Sequence, residues 1–279
     1  MFNFYNRNEI REKIRDLGFT AKKSFGQNFL IDKNICEKIV AVSSENFSDG
    51  VVEIGPGLGT MTYALSKKFN KIVSIELDTK LFGFLKNLFK DVSNVKLVNA
   101  DALKVNLDDV FENFADCKNV VMCSNLPYCI TTPVIMKFLE YDRFSQITVM
   151  VQKEAGDRVL SLPGTRNCGS ISSAVRFYSE PEFNFNVSKN CFFPSPKVES
   201  SVISFKITNN YNNVDKKKLF RVLRSAFRER RKNILNSISS GMHLEKSKIS
   251  EILTSCNLDK NLRAENLSLE NFINISNLI

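Results

Sequence analysis

The spacing of apolar residues changes character along this chain. Over residues 7–17, Ile10, Ile14 and Leu17 recur at helical spacing, and Gly18 stops the run. A polar, lysine-bearing loop follows, after which Asp32 is placed to cap a second helix through about Val42. From Val51 onward the pattern becomes strand, glycine turn, helix, strand: a strand over 51–54, a helix over about 58–68, a strand over 71–75, a helix over 79–89 and a strand over 95–99. It continues with a strand over 119–123, a helix over 133–140 and a strand over 146–151. Short apolar strands alternating with helices predict a parallel sheet covered by helices. Residues 183–187 and 198–207 read as two more strands. The aromatic, proline-bearing connection at 190–197 suits an antiparallel return better than a crossover.

Beyond Thr208 the period becomes helical throughout. A polar linker, Asn209-Asn210-Tyr211-Asn212-Asn213, precedes predicted helices over 216–236, 247–253 and 267–275. The expected domains are therefore 1–207, an α/β unit with N-terminal helices, and 208–279, a smaller all-α unit. A length of 279 residues agrees with about two domains.

Composition narrows the class. With 43% hydrophobic and 25% charged residues the chain is neither a disordered nor a fibrous sequence. No apolar run approaches the 18 or more residues of a membrane span, and the charged N-terminus lacks a signal-peptide core, so a cytoplasmic location is expected. The seven cysteines form no CxxC pair and the chain has one His, so reduced thiols and no metal are expected. The charge of +9 is localised. Between Asp215 and Lys232 stand nine basic residues (Lys216, Lys217, Lys218, Arg221, Arg224, Arg228, Arg230, Arg231, Lys232) and two acids, a net +7. Clustered cations are what a polyanion requires, although a charge run is equally a solvated face.

Three strand ends carry candidate chemistry. Glu53-Ile54-Gly55-Pro56-Gly57-Leu58-Gly59 is a glycine turn after the first strand of the alternating region, where a ligand can lie against bare backbone. Its GxGxG spacing differs from the GxGxxG of dinucleotide binders. Glu76, at the end of the next strand, can accept from both hydroxyls of a ribose, and Asp101, after the third, can accept from an adenine amine. Singly, each acid is as readily a helix cap; together they fit a nucleoside lying across the sheet. The fourth strand ends in Ser124-Asn125-Leu126-Pro127-Tyr128. An exocyclic adenine nitrogen is a weak nucleophile because its lone pair is delocalised into the ring. Two acceptors on its hydrogens, the Asn125 side-chain oxygen and a backbone carbonyl such as that of Leu126, would favour the tetrahedral form with the pair free. Pro127 would fix the turn and Tyr128 would stack on a base swung out of its helix. The same four residues also read as a turn with a packed aromatic.

With these residues in view, the chain resembles the KsgA-type adenine dimethyltransferases of small-subunit ribosomal RNA, which use S-adenosylmethionine. The matching blocks run in order: Lys22 to Leu30, Glu53 to Thr62, Glu76, Asp101, Asn125 to Tyr128, Gln152-Lys153-Glu154, Phe193 to Ser200, and Phe227 to Asn236. The resemblance implies a class I methyltransferase fold, a Rossmann-like seven-stranded sheet with a C-terminal helical RNA-binding domain. It implies that Asn28 and Leu30 close over the cofactor, that Gly55, with Gly57 beside it, meets the methionine part, and that Glu76 holds the ribose and Asp101 the adenine. Asn125 would touch both cofactor and target nitrogen. Phe193 or Phe192 would form the second face of an aromatic clamp with Tyr128, and Arg224, Arg228, Arg230, Arg231 and Lys232 would face RNA. The implied partner is 16S ribosomal RNA in the small subunit, acted on by a monomer without a membrane partner.

Three positions depart from the family pattern: Ser124 where glycine is usual, Phe25 where leucine is usual, and Asn167 to Ser172 in place of Tyr-Gly-x-Leu-Ser. At the last, altered packing or RNA contact is expected. Two other readings compete: a large-subunit adenine methyltransferase of the antibiotic-resistance type, and a non-catalytic RNA-binding assembly factor on the same scaffold. The blocks 193–200 and 227–236 disfavour the first, and intact Glu76, Asp101 and Asn125 disfavour the second.

Overall fold

The computed structural model describes residues 2–18, 28–46 and 49–279. Phe25 and most of the Lys22 to Leu30 block lie outside the described residues. Helix α1 (Arg7–Asp16) buries Ile10 and Ile14 and is capped by the Asn6 side chain. A two-residue strand β1 (Phe29–Leu30) leads into α2 (Lys33–Ser43), whose cap is Asp32, accepting from the Ile35 N–H at 3.1 Å. Then follow β2 (Gly50–Ile54), α3 (Thr60–Ser66), β3 (Lys71–Glu76), α4 (Thr79–Leu88) and β4 (Val95–Asn99). Next come α5 (Leu107–Phe111), β5 (Val120–Asn125), α6 (Thr131–Glu140), β6 (Gln146–Gln152), α7 (Lys153–Leu160) and α8 (Ser170–Tyr178). The sheet is completed by β7 (Ser179–Val187) and β9 (Ser200–Ile207), with the short β8 (Phe192–Phe193) between them.

The seven-stranded sheet has the order β4-β3-β2-β5-β6-β9-β7. β4 through β6 pair in parallel and β9 runs antiparallel to β6, from Gln146↔Lys206 to Gln152↔Ser200. The antiparallel return expected from the aromatic, proline-bearing connection is therefore present. The chain leaves β2 outward to β3 and β4, then jumps back to β5 on the other side of β2. That switch point is where open α/β sheets place a ligand, at the carboxyl ends of the strands. A core of Ile39, Val40, Val51, Leu65, Ile72, Cys123 and Phe192 fills the space between α2, α3 and the sheet. A second cluster, Ile10, Ile14, Phe29, Leu58 and Leu81, brings α1 down on the glycine turn.

Contacts divide the chain into two compact units, 1–156 with 181–207, and 157–180 with 208–279. The break at Thr208 coincides with the polar linker. A single cut there is nonetheless corrected by the segment 157–180, which joins the second unit because the aromatic side of α8 finds its partners there. Phe177 stacks on Tyr211 and Tyr178 on Phe220, with ring centroids 5.6 and 5.7 Å apart. α5, α7 and α8 were not expected from the apolar spacing; two of them are no more than eight residues long.

The second unit also corrects the long helix expected over 216–236. α9 (Lys216–Arg228) ends at Arg228, and α10 (Ile234–Met242) begins after a turn. The Asn233 side chain accepts from the Asn236 N–H at 3.0 Å, so it caps a new helix instead of continuing the old one. α11 (Lys246–Ser255) and α12 (Leu269–Leu278) complete the unit. No helix among the described residues is long and apolar enough to cross a membrane.

Candidate active site

One cavity at the switch point is lined by Asn28, Phe29, Leu30, Glu53, Gly55, Gly57, Glu76 and the run Asn125 to Tyr128, among others. The local sequence explains how each arrives. Gly57 and Gly59 take φ values of 60° and 85°, in the left-handed region. A Cβ on Gly57 would stand 3.0 Å from the Phe29 ring, and one on Gly59 2.8 Å from that of Phe89. The turn can therefore pass beneath Phe29 only as bare backbone.

Glu76 closes β3, and its two oxygens accept from the Gly57 N–H at 3.2 Å and the Asp78 N–H at 2.9 Å. Burial pushes its carboxyl above the usual range, and these two N–H groups oppose the rise. Each oxygen keeps a further lone pair for a ligand hydroxyl. Deeper in, Glu53 is 1% exposed and accepts from the Thr62 and Ser74 hydroxyls, both at 2.7 Å. Burial pushes its carboxyl up to about 7 against those bonds, and nearby Glu76 adds to the rise. Sequence reasoning gave Glu53 no role, although an acid inside the apolar run Val51-Val52-Glu53-Ile54 was a signal that something polar awaited it.

Across the switch point, β5 delivers Asn125 half-buried at its end, and the Leu126 N–H is held by the Met150 carbonyl at 3.1 Å. None of the described residues hydrogen-bonds the Asn125 side-chain amide, which leaves its oxygen open to a ligand. Tyr128 begins a short 3₁₀ turn, and its hydroxyl lies 3.0 Å from that of Ser200. Ser124, one of the departures from the family pattern, has a local reason. The β2–β5 ladder ends at Val52↔Met122, and the Ser124 hydroxyl accepts from the Ile54 N–H at 2.8 Å, replacing a missing ladder bond.

Two expected residues stand outside this lining. Asp101 accepts from the Leu103 N–H at 2.9 Å, turning its own loop. That loop is pinned by Lys137 of α6, which donates to the Ala102 and Val105 carbonyls at 3.0 and 2.7 Å; nothing in the spacing pointed to Lys137. Phe193 pairs with Phe29 in the β1–β8 ribbon and lies beneath the Arg11 guanidinium, 5.6 Å from its ring centroid. Phe192 is 2% exposed inside the core, so of the two neighbours only Phe193 has a face to offer.

In the second unit, Arg224 and Arg228 are exposed on α9 in one stripe with Lys217 and Arg221, opposite the buried Leu219, Val222, Leu223 and Ala226. Arg230, Arg231 and Lys232, expected on a helix, stand in the turn after it. Arg230 is committed: it donates to the Arg166 carbonyl at 2.6 Å and the Cys168 carbonyl at 3.2 Å, and lies 3.3 Å from Glu265. The departure at 167–172 is thus tied into its own unit through Arg230. Lys232 pairs with Glu229, and Arg231 is exposed. Among the described residues no group of three or more His, Cys, Asp or Glu side chains could hold a metal ion.

Sheet order, glycine turn and acids at successive strand ends define a class I S-adenosylmethionine-dependent methyltransferase fold. The residues fit that donor: Glu76 offers acceptors for ribose hydroxyls, and the glycine turn offers bare backbone. Among the described residues, the charged ones lining the cavity are both acids, Glu53 and Glu76, which suits a sulfonium cation. Among solved structures, a dimethyladenosine transferase from Plasmodium falciparum superposes with a TM-score of 0.71 at 23% identity, covering 88% of this chain and 94% of that one. The 23S rRNA methyltransferase ErmE superposes at 0.66 and 20%, covering 90% and 99%.

The sequence model of the family described as ribosomal RNA adenine dimethylase matches residues 18–279. A ribosomal RNA small subunit methyltransferase A of Clostridioides difficile is 39% identical over 277 residues, 98% of this chain and 96% of that protein. One of Alkaliphilus metalliredigens is 40% identical over 262 residues, 92% and 91%. The chain belongs to the ribosomal RNA adenine dimethylase family and is an S-adenosylmethionine-dependent methyltransferase.

Proposed function

We propose that this chain dimethylates the N6 amines of two adjacent adenosines in a hairpin loop near the 3′ end of 16S ribosomal RNA in the small subunit, four methyl transfers in all. The observation that carries this reading is the single cavity in which the glycine turn and Glu76 meet Asn125 to Tyr128. Relatives named for the small subunit at 39–40% identity over nearly their whole length support the choice of subunit.

Bound S-adenosylmethionine supplies a methyl group on a cationic sulfur. The protein's part is to orient and to accept hydrogen bonds. The Asn125 side-chain oxygen and the Leu126 carbonyl take the two amino hydrogens of the target adenine, freeing the nitrogen lone pair for in-line attack. Pro127, with φ −57°, holds that carbonyl in place, and Tyr128 stacks on the flipped base. No strong base is needed, since the methylated amine is cationic and sheds its proton readily. Asn28 and Leu30 close over the donor, Gly55 and Gly57 receive its methionine part, Glu76 holds the ribose, Asp101 the adenine, and Phe193 forms the second face of the clamp. Loop adenines suit this site because unstacking them costs less than opening a duplex. Residues 1–156 and 181–207 form the catalytic unit and the other residues the RNA-binding unit. In the latter, Arg224, Arg228, Arg231 and Lys232 meet phosphate while Arg230 orders their turn. The enzyme works as a cytoplasmic monomer.

Incubating the protein with unmethylated small subunits and labelled donor, then mapping reverse-transcription stops, tests this reading. Dimethylation removes both amino hydrogens, so copying should halt at two neighbouring adenines. Label in the large subunit, or none, refutes it.

A further inference from the structure

We propose that Ser200 is a positioning residue for Tyr128: its hydroxyl holds the far end of the ring so that the stacking face stands ready for the target base. This rests on Tyr128 as the stacking residue.

A stacking face needs no hydroxyl, and a phenylalanine would present the same ring. What the hydroxyl adds here is a tether. Tyr128 opens a 3₁₀ turn with no side-chain cap, so its ring is anchored at one end by the backbone and is otherwise turned by two torsions. At the other end its oxygen lies 3.0 Å from the Ser200 hydroxyl, 72 residues away in sequence, and either atom can donate. Ser200 is itself fully buried, 0% exposed, and sits opposite Gln152 at the start of β9. The neighbouring Glu199 carbonyl accepts from the Lys153 N–H at 3.0 Å. Because β9 runs antiparallel to β6, its first residue falls at the carboxyl ends of the parallel strands, where the cavity opens. A parallel strand would have put its last residue there. The bond thus ties the Asn125 to Tyr128 turn to the block ending at Ser200. Burial pushes the Tyr128 phenol above its usual range, and the Ser200 bond opposes the rise.

Releasing the tether lets the ring leave the stacking position, and apparent affinity for the base falls by the fraction of time it is away. The test measures kcat and KM on unmethylated small subunits for Ser200→Ala, Tyr128→Phe and the double variant, with S-adenosylhomocysteine affinity by calorimetry. Each single variant should lose about three- to tenfold in kcat/KM, the scale of one net hydrogen bond. The double variant should lose no more than either single, Ser200→Thr should regain most of the activity, and product affinity should stay within about twofold. Wild-type kcat/KM in Tyr128→Phe, or losses that multiply in the double variant, overturn the inference. Should Ser200→Ala destabilise β9, Tyr128→Phe decides alone, with its melting temperature checked against the parent, since it changes no residue of that strand. Tyr128→Ala separates the two layers. If it is silent, the stacking role itself is wrong. If it collapses turnover while Tyr128→Phe is silent, only the Ser200 tether fails.

Discussion

In the cavity at the carboxyl ends of the strands, the charged side chains among the described residues are the buried Glu53 and Glu76, each held by two hydrogen bonds of 2.7–3.2 Å. Along α9 they are numerous and exposed, and the spacing of Lys217, Arg221, Arg224 and Arg228 follows the helix period. The first arrangement orients a small ligand in a low-dielectric cavity, where each bond is strong and salt penetrates poorly. The second attracts a long polyanion through water, where each cation contributes little and the sum responds steeply to salt. Arg230 belongs by sequence to the second region and by contact to the first kind of chemistry, because its guanidinium is spent on two carbonyls and a carboxylate of its own unit.

Substitutions can break this contrast. Asn125→Ala should cost the most, about 10²–10³-fold in methyl transfer measured on small subunits, with RNA affinity retained. Glu76→Ala should weaken S-adenosylhomocysteine binding about 10- to 100-fold by calorimetry, by nearly the same factor at low and high salt. Replacing Arg228, Arg231 and Lys232 together should leave that binding unchanged. It should make the log–log salt dependence of RNA affinity shallower by roughly 2, at about 0.7 to 0.9 per phosphate contact. Arg230→Ala should instead lower unfolding stability by about 0.5–1.5 kcal/mol, read by denaturant titration, because two carbonyls lose their donor. An effect of Arg230→Ala confined to the salt slope would return it to the RNA face.

The smallest effect is expected at Glu53. Its carboxyl is raised in the folded state to about 7, so the unfolded chain releases that proton first as pH rises. Stability from this group is full below the ordinary carboxylate range and is lost as pH climbs through about 7. Glu53→Gln, whose carbonyl can accept from Thr62 and Ser74 at the same atom, should gain in melting temperature over the parent as pH goes from 5 to 8. A constant difference across that range would show that Glu53 is ionised throughout.

Much of this was legible beforehand. The alternation of strands and helices, the glycine turn and the strand ends at Glu76 and Asn125 are local patterns: a period of two or 3.6, a left-handed glycine, a proline after an asparagine. The misses have local causes too. Between Phe227 and Ile234 stand six polar residues, but the apolar positions resume seven residues on, in helical register, so periodicity alone did not demand a break at Asn233. Residues 157–180 carry no linker composition at either end, and their membership in the second unit depends on aromatic partners more than 30 residues away. Lys137 and Ser200 look like any surface lysine and strand serine until the chain is folded.

What could be read along the chain was the class of chemistry, because periodicity locates the strand ends that carry Glu76 and Asn125 and the glycine turn beside them. Folding settled which of them share a cavity, which cation is already occupied and which hydroxyl meets that of Tyr128. Those facts depend on contacts between residues distant in the chain, and strand order, not spacing, sets such contacts.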